Sequence, residues 1–168
     1  GDTMVVGAPM NDFMGPNSGL AYIYTRNFAG NITSRWTQRS VRLFASKGAS
    51  GDYFGHDVAI DCDTIVVGAY GDEPNGDDMG ADSGAAFVYT RDVAGALTSR
   101  WTERSILLAT DGKAGDWFGI SVAISGDIAV VGARRGSNER GVNSGSAYVY
   151  TRNVAGSLTS GWTQRAKL

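Results

Sequence analysis

From Phe54 to Ile60 apolar and polar residues alternate. Phe54, His56, Val58 and Ile60 fall on one side and Gly55, Asp57 and Ala59 on the other, the period of two expected of a half-buried β-strand. The short turn Asp61-Cys62-Asp63 leads into Thr64 to Ala69, an unbroken apolar run that reads as a strand covered on both faces. Alternation returns at Ala85 to Arg91, and a fourth strand is expected from Trp101 to Ala109. These four stretches are denoted strands A to D.

The group recurs. Val66-Val67-Gly68-Ala69 follows Val5-Val6-Gly7-Ala8 by 61 residues and precedes Val130-Val131-Gly132-Ala133 by 64. Ser18-Gly19, Tyr24-Thr25-Arg26 and Trp36 each return 65 residues later, at Ser83, Tyr89 and Trp101, and again after a further 61, at Ser144, Tyr150 and Trp162. Four consecutive antiparallel strands per repeat, with a period too long for a solenoid rung, predict propeller blades. The abundance of glycine (24) over proline (3) fits short strands joined by tight turns. The expected fold is all-β: a partial β-propeller of four-stranded antiparallel blades. Residues 1–46 supply strands B to D of one blade, 47–110 a complete blade and 111–168 a nearly complete one, all within one propeller domain. Propellers close with roughly four to eight blades, so the expectation is that sequence beyond this segment completes the ring, with pairing to other chains as the alternative.

Phe54-Gly55 followed by Val67-Gly68-Ala69, together with Gly7-Ala8-Pro9, resembles the FG-GAP repeats of integrin α-subunit propellers and of related bacterial and algal surface proteins. The Trp-Thr-Gln-Arg and Ser-Gly-x-Ala-Tyr-Val-Tyr elements are more similar to the non-integrin branch. The resemblance implies a seven-bladed propeller used in extracellular adhesion or protein interaction. Integrin-type repeats often carry an Asp-x-Asp-x-Asp-Gly calcium loop between the two motifs. Here that interval holds only Asp61-Cys62-Asp63 or Ser125-Gly126-Asp127, so that calcium site does not carry over.

A net charge of −2 gives no basic footprint for nucleic acid, and no apolar run approaches the roughly 18 residues of a spanning helix. Any signal peptide is expected outside the segment, in keeping with a secreted or cell-surface setting. Cys62 is the single cysteine, which excludes an internal disulfide, and it reads as an inert turn thiol. His56 is the single histidine and reads as a core or interface residue rather than a base. No clustered acids and bases suggest catalysis.

In a four-strand meander the A–B and C–D turns share one end of the blade, and the B–C and D–A connections share the other. The C–D loops have one length and repeat an apolar pair, Phe28 and Ile32, Val93 and Leu97, Val154 and Leu158, so they are expected to fold down and pack. The B–C loops differ in length and chemistry, which is how a rigid scaffold presents binding residues. Asn11, Asp12, Phe13, Glu73, Arg134, Arg135 and Arg140 are the candidate partner-binding positions, facing other proteins, glycans or further blades. Asp72, Asn75, Asp77, Asp78 and Asp82 could supply oxygen ligands to calcium, although their spacing is not that of an EF-hand; a solvated acidic loop is the alternative. Asn31-Ile32-Thr33 is an N-glycosylation sequon in an expected surface turn. Asp52 and Asp116 are expected to bond nearby turn amides. Trp36, Trp101 and Trp162 are expected to hold strand D to strand C.

Overall fold

The computed structural model describes residues 1–73, 81–137, 141 and 143–168. Among the described residues there are eleven strands and no helix: β1 (Thr3–Ala8), β2 (Leu20–Arg26), β3 (Trp36–Leu43), β4 (Val58–Asp61), β5 (Thr64–Ala69), β6 (Ala85–Arg91), β7 (Trp101–Leu107), β8 (Phe118–Ser125), β9 (Ile128–Ala133), β10 (Ser146–Arg152) and β11 (Trp162–Lys167). They form three antiparallel meanders, β1-β2-β3, β4-β5-β6-β7 and β8-β9-β10-β11. The register repeats, with Ala8 opposite Leu20, Ala69 opposite Ala85 and Ala133 opposite Ser146, and each C–D pair slips at the same place, just before or at Tyr24, Tyr89 and Tyr150. The sheets are the blades of a partial propeller.

The core lies between sheets, not within one. Each blade offers a small face and a large one. Val66, Ala86 and Val88 of the middle sheet meet Phe118, Tyr148 and Tyr150 of the third, as Ala21 and Ile23 of the first meet Phe54, Phe87 and Tyr89 of the middle one. Large rings pack against small side chains, and each buried ring contributes on the order of 2 to 3 kcal/mol.

The Phe-Gly and Gly-Ala motifs are the two halves of this junction. Phe118 bridges Gly84 and Phe54 bridges Gly19 in parallel. A Cβ on Gly84, whose φ is +86°, would lie 2.0 Å from the Phe118 carbonyl oxygen, and one on Gly68 would lie 1.9 Å from that of Gly119. The backbones therefore approach as only glycine allows.

Two expectations are corrected. Strand A of the middle blade starts at Val58 rather than near Tyr53. Tyr53 and Gly55 have φ of 54° and 85°; these left-handed residues break the pleat and swing Phe54 into the junction, where it is fully buried. His56 is thereby exposed instead of inward-facing. It still sits at a blade boundary, with Nδ1 3.2 Å from the Ile120 carbonyl oxygen. The apolar pairs of the C–D loops fold down only in part: Phe28, Val93 and Val154 are 71%, 61% and 61% exposed and Ile32 is exposed as well, whereas Leu97 and Leu158 are half-buried. Their regularity comes from polar anchoring, described below.

Candidate functional site

The B–C and D–A loops interlock through backbone hydrogen bonds. Gly51 and Tyr53 donate to the carbonyls of Pro16 and Asn17, and Gly71 donates to that of Asp52. One repeat later Gly115 and Trp117 donate to Ala81 and Asp82, and Arg135 donates to Asp116. Each D–A loop is thus wedged between two B–C loops, and the end of the molecule becomes one continuous ladder. Asp52 and Asp116 shape the D–A turns as expected: their carboxylates accept from Ala49 N at 2.6 Å and Lys113 N at 2.9 Å.

Side chains on this ladder change from blade to blade. In the first B–C loop, Asn11 Oδ1 accepts from Phe13 N at 3.0 Å and Asp12 Oδ1 from Asn17 N at 2.9 Å, so both polar residues hold the turn. Phe13 is 49% exposed and packs at 5.4 Å from Phe44, with the Arg42 guanidinium 5.6 Å above its ring. Met10 and Met14 extend this exposed apolar patch. At the corresponding place in the next blades, Tyr70 joins Tyr53, His56 and Trp117 in a ring cluster, and the exposed Arg134 and Arg135 lie over Trp117. Glu73, three residues after Tyr70, is exposed. Arg140, Asn75, Asp77 and Asp78 lie outside the described residues.

Of the remaining acidic candidates, Asp82 is exposed and Asp72 is buried. Burial, with the nearby charges of Asp52, Glu103 and Glu73, pushes the Asp72 carboxyl up to about 7. Among the described residues no group of three metal-ligating side chains is found.

The opposite end of the blades is built differently. At the end of strand C, Arg91 pairs with Asp63 at 2.8 Å, lies 4.5 Å over the Trp101 ring and donates to the Ala96 carbonyl in the C–D loop. Asp63 in turn accepts from Gly95 N. Arg152, Asp127, Trp162, Ser157 and Gly156 repeat the arrangement, as do Arg26, Asp2, Trp36, Asn31 and Gly30. The guanidinium then reaches the preceding blade, from Arg91 to Thr3 Oγ1 and from Arg152 to Thr64 Oγ1. These tryptophans are therefore bound to strand C through its arginine. Asn31 stands exposed on the C–D loop with Oδ1 accepting from Thr33. Cys62 is exposed, and its S–H toward Asp61 holds the thiol above its ordinary range, the opposite of a reactive thiolate.

Sequence reasoning missed the ring cluster. The signal was present in the aromatic residue after each Gly-Asp, Tyr53 and Trp117, but pairing with Tyr70 requires the loop ladder. It also missed Asp57, whose Oδ2 accepts from Val122 N of the next blade at 2.8 Å.

The FG-GAP repeat family model matches residues 36–89 and 101–150, well over half of the chain. No curated protein matches the sequence.

Proposed function

Because the chain belongs to the FG-GAP repeat family, we propose that it is a non-catalytic adhesion or structural propeller module of an extracellular surface assembly, engaging partner proteins through its B–C and D–A loops. FG-GAP repeats are typical of extracellular proteins and suggest protein interaction, and the propellers they build are generally non-catalytic. Among the described residues no helix is long and apolar enough to cross a membrane. The observation that carries the reading is the loop ladder: its backbone is fixed by hydrogen bonds while its side chains differ in every blade. A preformed face keeps the ordering cost of binding low, and exposed Phe13, Met10 and Met14 are apolar anchors of the kind interfaces use. A glycan on Asn31 would sit at the other end of the blades, clear of this face.

Cell attachment to surfaces coated with the protein tests the reading. Phe13→Ser with Met14→Ser abolishes attachment, whereas Phe28→Ser with Ile32→Ser on the other end leaves it intact. The reverse pattern refutes the loop-face assignment.

A second reading, calcium-dependent binding by the Asp72 to Asp82 loop, is favoured by one observation: Asp72 is 5% exposed, with the negative charges of Asp52, Glu103 and Glu73 acting on its carboxyl. Calorimetry with calcium decides it: heat that disappears on Asp77→Asn with Asp78→Asn supports a site, and absence of heat removes it.

A further inference from the structure

We propose that the ring cluster and its two arginines form a receptor for an acidic polypeptide segment, with a carboxylate of the partner held by Arg134 and Arg135 and an uncharged side chain against the outer edges of Tyr53 and Tyr70. The inference rests on the loop-face reading above and names the chemistry of its partner.

The cluster crosses a blade boundary. Tyr53 and Tyr70 stack in parallel, with ring centroids 4.9 Å apart and planes 5° apart. His56 meets Tyr70 edge-on at 4.8 Å, and Trp117 lies 5.5 Å from Tyr70 on its other flank. Arg135 then sits 3.9 Å over the Trp117 ring, with Arg134 at 5.8 Å. The four loops that contribute are successive rungs of the ladder.

Two features separate this cluster from ordinary surface packing. The first is backbone strain. Tyr53 and Trp117 have φ of 54° and 58°, a region costly for bulky side chains and suited to glycine. Both repeats nevertheless place a large ring there, half-exposed. The second is charge. Both arginines are exposed, and among the described residues neither has an ion-pair partner. A guanidinium lying on an indole keeps its in-plane N–H groups directed outward, which suits a carboxylate held by two parallel hydrogen bonds.

Chemistry fixes the class of partner and its orientation. Tyr70 is contacted by Tyr53, His56 and Trp117, and Trp117 is covered by Arg135, so the central rings spend their faces on one another. A stacked sugar ring needs such a face; a carboxylate needs only the guanidinium edges. Exposed Asp82 acts on Tyr70 through its charge, which repels a second anion there. The partner's carboxylate therefore meets the arginines, and its uncharged portion meets the tyrosines.

The test is fluorescence anisotropy of the full chain with a labelled peptide of alternating glutamate and tyrosine. The parent binds, and binding weakens as salt is raised. Arg134→Ala with Arg135→Ala lowers affinity about tenfold or more, the scale of charged hydrogen bonds lost. Trp117→Gly separates recognition from folding: glycine suits the φ of this position, so thermal stability is kept while affinity falls severalfold. Loss of stability with unchanged peptide affinity makes the rings structural and overturns the proposal, as does a parent that ignores the peptide. Heparin displacing the peptide at lower charge-equivalent concentration assigns the site to a sulfated polysaccharide and also overturns it. Failure here with attachment still sensitive to Phe13 and Met14 leaves the loop-face reading standing; peptide binding with attachment insensitive to every loop change overturns that reading instead.

Discussion

The two ends of the blades are constructed on opposite terms. At the C–D end side chains do the building: Asp2, Arg26 and Trp36 recur as Asp63, Arg91 and Trp101 and as Asp127, Arg152 and Trp162, and each arginine joins strand, loop and ring. At the B–C end the backbone does the building, through the hydrogen bonds that wedge each D–A loop between two B–C loops. Where side chains hold the structure they cannot vary. Where the backbone holds it most are freer to differ, apart from turn-holding carboxylates such as Asp52 and Asp116, and the residue after each Gly-Ala is Pro9, Tyr70 or Arg134. The proposed recognition face lies at the end where backbone hydrogen bonds, rather than a repeated side-chain relay, join the loops.

The comparison breaks most readily at the blade junction on which both ends depend. Gly84→Ala adds a Cβ 2.0 Å from the Phe118 carbonyl oxygen at a φ of +86°, and neither backbone can retreat without opening the junction. A loss of about 4 kcal/mol or more is expected in urea unfolding, at the upper end for single substitutions. A loss below about 1 kcal/mol would mean that the blades slide freely and that the ladder is not rigid.

The arginine relay comes next. Arg91 and Asp63 have side chains 3% and 20% exposed, against 15% and 27% for Arg26 and Asp2. Arg91 also reaches Thr3 of the preceding blade. Arg91→Met is expected to cost about 2 kcal/mol, since it removes a buried guanidinium and leaves the partly covered Asp63 carboxylate without its cation. Arg26→Met is expected to cost about 1 kcal/mol, the scale of a half-solvated pair. Equal costs would show that the link between blades contributes nothing and that the relay is local to each blade.

The fold was legible because its evidence is periodic. The Val-Val-Gly-Ala run, the Tyr-Thr-Arg ending and the tryptophan state strands B, C and D three times over. The strand A boundary was not legible, because Phe54 obeys the alternation while the flanking left-handed residues do not, and φ is not written in a hydropathy pattern. The C–D loops misled for a related reason: repetition of Val93 and Val154 suggested burial, whereas the repetition needed by the structure is that of Arg91 and Asp63. The gathering of the B–C and D–A loops at one end was legible from position in the meander, and the backbone hydrogen bonds between them bear it out. The ring cluster there was hidden, since Tyr53, Tyr70 and Trp117 meet only when loops of two blades interleave.

Asp72 sharpens the comparison from the acidic side. Its carboxyl is raised from 3.8 to about 7, chiefly by burial. The folded state therefore holds a proton that the unfolded chain releases, so stability is unaffected below about pH 4 and declines as pH rises through the interval up to about 7. Asp72→Asn removes this decline and is expected to raise stability at pH 8 by up to about 4 kcal/mol, with no gain at pH 4. A gain independent of pH would assign the effect to packing rather than charge.

The smallest effect tests the claim that the outer tips of the C–D loops are idle. Val93 and Val154 are each 61% exposed, yet the loops beneath them are pinned by Arg91 to Ala96 O and by Arg152 to Ser157 O. If that anchoring fixes the loop, Val93→Ser and Val154→Ser change stability by less than about 0.5 kcal/mol, as at ordinary surface positions. They also leave hydrogen-exchange protection of the Gly95 and Gly156 amides unchanged, because those amides bond to Asp63 and Asp127 rather than to anything the valines cover. Faster exchange at Gly95 in Val93→Ser would show that the apolar tip shields the relay, and the two ends of the blade would then differ in degree rather than in kind.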